Sequence, residues 1–300
     1  MNVGTFRADD GVRLRWARVA IEAPRARVVV LQGRREFLEK YGDIFAALSA
    51  WGCDVWALDW RGQGGSERPL DNPHKGHIDS FDRYLADLHG WLEAVVWPGS
   101  DEALPAYLLG HSMGGHLALR YLHDRPGAFA AAALSAPMIG IRMGLPAGLA
   151  RRLARRLVRR GWGDRYTPWH GDYDPRRRRF AGNRLTSDRA RFDEVAALLA
   201  ADPDLALGGP TWGWLAAALD SIATLIEKGS PEAIAARVLV ALAGGDRVVD
   251  NRAARRLVRR LPCARLLALP RGCRHEITVE ADAYRDVFLT QARALFELEG

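Results

Sequence analysis

Cysteine is scarce in this chain and lysine scarcer relative to arginine. The three cysteines, Cys53, Cys263 and Cys273, have no metal-ligand spacing, and their odd number argues against a disulfide framework. Cys273 stands two residues before His275, but no cysteine-nucleophile pattern surrounds it, so the thiols are read as incidental. No apolar run approaches the roughly 20 residues needed to span a bilayer. Met1–Asp10 is polar and lacks the apolar core of a signal peptide. These absences make a cytoplasmic protein the expectation. Internal repeats and low-complexity linkers are also missing, and 300 residues suffice for one large domain or one domain carrying an insertion.

Positive charge is plentiful but unevenly spread. Residues 137–215 hold 15 arginines, no lysine and 8 acidic residues, which accounts for the whole net charge of +7. Such an excess suits an anionic surface. Nucleic acid is not expected as a partner, because no recognition motif accompanies the charge.

The hydrophobic pattern outside that segment alternates between strand and helix. Arg27–Leu31, Asp54–Asp59, Ala106–Leu109, Arg237–Leu242 and Ala264–Leu269 read as buried strands, and Ala130–Ser135 as a strand whose alanines also permit helix. Helices are expected over 38–51, from Ser80 as N-cap to about Val96, from Met113, from about Arg252, and from about Glu280 to Leu298. Residues 137–215 break the alternation with arginine-rich helical stretches, prolines and tryptophans. The expected architecture is α/β: a mostly parallel sheet flanked by helices, formed by 1–136 and 216–300 and interrupted by a helical cap at 137–215.

Between the third strand and its helix stands Gly110-His111-Ser112-Met113-Gly114. This is the G-x-S-x-G pattern in the strand–turn–helix setting it requires. The sharp turn strains the serine backbone, and the glycines let strand and helix approach. Ser112 is the candidate nucleophile, and the Met113 N–H can donate to an oxyanion. A dinucleotide-binding reading of Gly62–Glu67 fails because Glu67 occupies a position that needs a small residue.

A serine hydroxyl needs a base, and the base needs an orienting acid. His275 follows the last strand, at the edge where open α/β sheets meet ligands, and is preferred to His170 in the arginine-rich segment. His111 should point away from Ser112, and His116 and His123 fall on the following helix. Asp246 directly follows a strong apolar strand. Its rival Asp250 precedes a helix and is explained as an N-cap. A second oxyanion donor is expected from the loop Gln32–Phe37, at the Arg34 N–H.

Several stretches carry a family resemblance: LQGRREFLEKYGDIF at 31–45, LDWRGQGGSERPLDNPHKGHIDSFDRYLADL at 58–88, LLGHSMGGHLALRYL at 108–122, NRLTSD at 183–188, LGGPTWGWL at 207–215, AGGDRVVDN at 243–251 and GCRHEI at 272–277. The chain resembles the lysophospholipase L2 proteins and monoacylglycerol lipases of the α/β-hydrolase superfamily over nearly its whole length. The resemblance implies Ser112 as nucleophile, Asp246 as acid, His275 as base, and the N–H groups of Arg34 and Met113 as oxyanion donors. Gln32-Gly33 replaces the His-Gly usual in monoacylglycerol lipases, which favours the lysophospholipase-like branch. The chemistry so implied needs no metal or organic cofactor, and its substrate is a lipid or other ester.

Residues 151–160 can be drawn as a helix with arginines on one half and Leu153, Ala154, Leu157 and Val158 on the other. Such a helix, with Arg176–Arg179 and Trp162, Trp169, Trp212 and Trp214, can contact an anionic membrane peripherally. A solvated face is the competing explanation, since Arg252, Arg255, Arg256, Arg259 and Arg260 repeat the spacing in the core. Beside the lysophospholipase reading stand a monoacylglycerol lipase, a general esterase or a peptidase on the same scaffold, and a catalytically silent lipid-binding protein.

Overall fold

Short aliphatic runs bounded by turns build one eight-stranded sheet. The computed structural model describes residues 1–99, 101 and 103–298. In chain order its strands and α-helices are β1 (Asn2–Arg7), β2 (Arg13–Val19), β3 (Ala26–Leu31), α1 (Gly42–Ala50), β4 (Cys53–Leu58), α2 (Phe81–Trp91), β5 (Ala106–His111), α3 (Met113–Asp124), β6 (Ala131–Ser135), α4 (Ala147–Leu157), α5 (Arg189–Ala201), α6 (Trp212–Leu225), β7 (Arg237–Leu242), α7 (Asn251–Val258), β8 (Ala264–Ala268) and α8 (Asp282–Leu295).

The strand order is β1-β2-β4-β3-β5-β6-β7-β8. β1 and β2 are antiparallel, β2 joins β4 antiparallel, and all pairs from β4 to β8 are parallel. Every residue of β3, β4 and β6 is buried, as strands covered on both faces require. The expected mostly parallel sheet with flanking helices is therefore what the chain forms. The alanine-rich stretch is a strand because β5 and β7 flank it on either side.

The differences from the sequence reading are local. The helix expected over 38–51 starts as a tight turn, Leu38–Tyr41, before α1. The helix capped by Ser80, whose hydroxyl accepts from the Asp82 N–H at 3.1 Å, loosens into a wider π-type turn at Leu92–Val96. Asp250 caps α7 through the Arg252 N–H at 2.8 Å. Between β6 and β7 the chain leaves the sheet for α4, α5 and α6, and α6 runs across residue 215. None of the helices among the described residues is long and apolar enough to cross a membrane.

The winding reverses at β3. The chain passes from β3 to β4 on one side and returns to place β5 on the other, with Leu31 opposite Gly110. Loops leaving the carboxyl ends of β3 and β5 therefore emerge side by side, where open α/β sheets bind ligands.

Candidate active site

Ser112 sits in the turn between β5 and α3 with φ 51° and ψ −112°. A non-glycine residue in this region is strained, and such strain clusters at reactive sites. The surroundings hold it there: the Ser112 N–H donates to the Ser135 carbonyl at 3.0 Å, and its carbonyl accepts from Met138 and His116 at 2.9 and 3.0 Å. Gly114 makes the turn possible, because a Cβ there would fall on the Leu31 carbonyl oxygen. The start of α3 thus lies directly on the end of β3.

His275, in the loop after β8, places Nε2 3.0 Å from Ser112 Oγ and Nδ1 2.7 Å from Asp246 Oδ2. All three side chains are buried. Asp246 also accepts the N–H groups of Val248 and Val249 at 2.7 and 3.0 Å. Burial pushes its carboxyl up, but the His275 hydrogen bond and charge, with these two N–H groups, outweigh it and hold the pKa below the ordinary 3.8. Serine, histidine and carboxylate thus form a continuous chain of hydrogen bonds, the arrangement that activates a hydroxyl for nucleophilic attack.

The loop after β3 runs beside this chain. The Gly33 N–H is taken by the Glu36 carboxylate, and the Arg35 N–H by Gln63 Oε1 at 2.7 Å. Arg35 itself lies at φ 67°. The Arg34 N–H between them has no acceptor among the described residues, and neither has that of Met113 at the start of α3. Two N–H groups on facing backbone segments are left open.

Sequence reasoning missed the cluster that holds this loop. Glu36 is buried, accepts from Lys40 Nζ at 2.5 Å and from the Tyr41 hydroxyl at 2.6 Å, and lies 4.0 Å from His111 Nε2. Lys40 Nζ also meets Glu276 at 2.8 Å. One lysine therefore ties the loop after β3 to the residue following His275. Burial pushes the Glu36 carboxyl up, but the charges of Lys40 and His111 and the bonds from Lys40 and Tyr41 outweigh it and hold the pKa well below its usual range. His111 binds the Ser135 carbonyl and hydroxyl, each at 3.1 Å, and its ring centre lies 4.9 Å from that of His275. Burial drives its pKa down to about 4, so the ring beside His275 is neutral at neutral pH.

The other candidates lie apart. His116 is buried against Ser221 at 2.7 Å, and burial drives its pKa to about 3. His123 meets Asp124 at the surface. His170 binds Thr167 Oγ1 at 2.9 Å. The three cysteines are free, and burial pushes the Cys273 thiol up to about 12, the reverse of what a nucleophilic thiol needs. Among the described residues no group of three or more His, Cys, Asp or Glu side chains is arranged to hold a metal ion.

Residues 183–188 dock on the loop that carries His275. The Glu276 N–H donates to the Leu185 carbonyl at 2.8 Å, Arg274 Nη1 to the Thr186 carbonyl at 2.9 Å, and the Thr186 hydroxyl to the Val279 carbonyl at 2.8 Å. Glu280 closes the junction, accepting from the Arg274 N–H at 2.6 Å and from the Ser187 hydroxyl at 2.6 Å.

This fold and this side-chain geometry define a serine hydrolase of the α/β-hydrolase class. The family described as serine aminopeptidase, S33, matches residues 22–282, and the chain belongs to it. Lysophospholipase L2 of Escherichia coli strain K12 is 33% identical over 293 residues, covering 95% of this chain and 84% of that protein. A probable lysophospholipase L2 of Haemophilus influenzae is 31% identical, covering 88% and 81%. Among solved structures, a soluble variant of monoglyceride lipase from Saccharomyces cerevisiae, in complex with a substrate analog, superposes with a TM-score of 0.78 at 20% identity, covering 100% of this chain and 95% of that one.

Proposed function

We propose that this hydrolase cleaves the carboxylic ester of a single-chain lipid, and that its substrate is a lysophospholipid. The hydrogen-bonded chain from Ser112 through His275 to Asp246 carries the proposal, and the lysophospholipase L2 relatives support the substrate class. Ser112 Oγ attacks the ester carbonyl while His275 Nε2 accepts its proton. The N–H groups of Arg34 and Met113 stabilise the oxyanion. His275 then protonates the leaving alkoxide, and the fatty acyl group remains on Ser112. Water, deprotonated by His275, attacks the acyl-enzyme and releases the fatty acid. Asp246 fixes the imidazole tautomer and stabilises the imidazolium.

The test is a panel of lysophospholipids, monoacylglycerols and short esters, with Ser112→Ala as control. Ser112→Ala is expected to lose several orders of magnitude in kcat/KM and all labelling by a fluorophosphonate probe. Esterase activity retained in that variant would remove the assignment. A catalytically silent lipid-binding protein would show no labelling in the wild type either. A monoacylglycerol lipase is the second reading, favoured by the similarity to the yeast enzyme.

Residues 137–215 are proposed as the cap over this site, with α4 as its membrane-facing edge. α4 packs on α6 through its small residues, Ala150 and Ala154. Leu149, Leu153, Val158 and Trp162 remain 53, 38, 37 and 40% exposed among Arg152, Arg155, Arg156, Arg159 and Arg160. Apolar side chains left in water beside cations suit an anionic bilayer surface. Salt-sensitive sedimentation with anionic vesicles, and none with neutral ones, is the expected result; equal behaviour with both would refute the membrane contact.

A further inference from the structure

Arg34 presents two groups to two places. Its backbone N–H is the oxyanion donor proposed above, and its side chain enters the seam between the sheet end and the inserted segment. Nη2 donates to the Gly208 carbonyl at 2.7 Å, and the guanidinium carbon lies 5.2 Å from the Trp214 ring centre. Gly76 leaves the space, because a Cβ there would collide with Nη2. Arg34 Nε is buried with no hydrogen-bond partner.

No carboxylate pairs with Arg34 among the described residues, whereas Arg15 and Arg61, also part-buried, are neutralised. Arg15 reaches Glu39 and Asp59 at 2.7 and 2.6 Å, and Arg61 reaches Asp10 and Asp87, each at 2.6 Å. The neighbour of Arg34 adds charge of the same sign. Arg35 Nε donates to the Leu207 carbonyl at 2.8 Å, and Glu276, whose charge it feels, is already bound by Lys40. Burial and the charge of Arg35 push the Arg34 pKa down to about 9, so it stays cationic at neutral pH. Removing a guanidinium from water without a counter-charge is unfavourable. Guanidinium has five N–H donors in a planar fork that matches phosphate, and a single Arg34 donor is engaged with protein.

We infer that the Arg34 guanidinium, with Arg35 beside it, binds the phosphate of the substrate headgroup, so that the site selects a phosphorylated glycerol ester over an uncharged monoacylglycerol. The inference deepens the ester-hydrolase reading and rests on it. In a lysophospholipid the glycerol unit separates the scissile carbonyl from the phosphate. In Arg34 one side chain separates the oxyanion-donating N–H from the guanidinium. A substrate whose carbonyl oxygen meets the first group can therefore bring its phosphate to the second.

The experiment compares kcat/KM for a lysophosphatidylethanolamine and a monoacylglycerol of the same acyl chain, in wild type, Arg34→Met and Arg34→Lys. The ratio of the two values is read, so that any common loss cancels. Arg34→Met is expected to lower the ratio by about tenfold or more, as loss of a charge-assisted hydrogen bond does, and Arg34→Lys to restore part of it. An unchanged ratio overturns the inference. A second measurement needs no variant: glycerol 3-phosphate should inhibit p-nitrophenyl ester hydrolysis competitively, and more strongly than inorganic phosphate. Equal inhibition by the two would mark a general phosphate site and overturn the headgroup assignment. Absence of competitive inhibition by either overturns the site. If the wild type prefers monoacylglycerol while glycerol 3-phosphate still competes, the lysophospholipase reading and the selection over monoacylglycerol both fail, and only the phosphate site at Arg34 stands.

Discussion

Lys40 offers the sharpest test of the loop cluster. Its side chain is 4% exposed and that of Glu36 2%, so water screens their contact little. Lys40→Met leaves Glu36 and Glu276 facing one another with no cation between them. Removing one partner of a buried pair costs about 3–5 kcal/mol. Glu36 keeps the Tyr41 hydroxyl and the Gly33 N–H, which places the expectation near the lower end, about 3 kcal/mol at neutral pH. The loss should depend on pH. In the wild type the Glu36 carboxyl is held below its ordinary 4.5, so its stabilisation is present above that value and is lost as the pH falls through the lowered one. In the variant burial acts unopposed by Lys40, the folded pKa rises above the ordinary value, and the penalty is relieved as the pH falls through it. Equilibrium urea unfolding at neutral and mildly acidic pH should therefore show two stability curves that converge on acidification. Because Glu36 holds the Gly33–Arg34 segment, kcat should fall more than KM rises. A neutral-pH loss below about 1 kcal/mol, or one independent of pH, would refute the reasoning.

Asp246→Asn should keep the fold by circular dichroism and lower kcat by about ten-thousandfold, as the loss of an orienting carboxylate does; a loss under about tenfold would remove Asp246 from that role. Its lowered pKa also sets a sign: the stabilisation from Asp246 is complete above the ordinary 3.8 and disappears as the pH falls through the lower folded value, so acid unfolding curves of wild type and Asp246→Asn should approach each other there. Gly114→Ala should lower both stability and labelling by a fluorophosphonate probe, since the added methyl meets the rigid carbonyl of Leu31. Unaltered labelling would show that the turn can shift aside.

The three side chains that meet at the sheet edge were legible because each follows an apolar strand or its turn. β5 delivers Ser112, β7 delivers Asp246, and β8 delivers His275. The parallel register then brings their loops to one end. Other features left weaker traces. β1 lies at the edge of the sheet with β2 inside it, and β1 alternates exposed with half-buried residues, so no apolar run marked it. In α4 the sequence groups Leu153, Ala154, Leu157 and Val158 on one apolar half, but only Ala154 of these joins Ala150 in the buried seam, because close packing on α6 favours the smallest side chains. The Glu36–Lys40–Glu276 cluster joins residues far apart in the chain, and a local pattern of charges does not reveal a partner from another loop.

The contacts of residues 183–188 with the loop after β8 have a consequence for how this enzyme can be altered. The imidazole that must face Ser112 belongs to a loop whose shape is held in part by a segment lying between β6 and β7. An exchange of the insertion with that of a relative, made to change which ester enters, would break these bonds unless 183–188 and 272–280 travel together. The two stretches form one graft. If the insertion is the cap proposed above, substrate entry can diverge freely only in the portion that lies outside this graft.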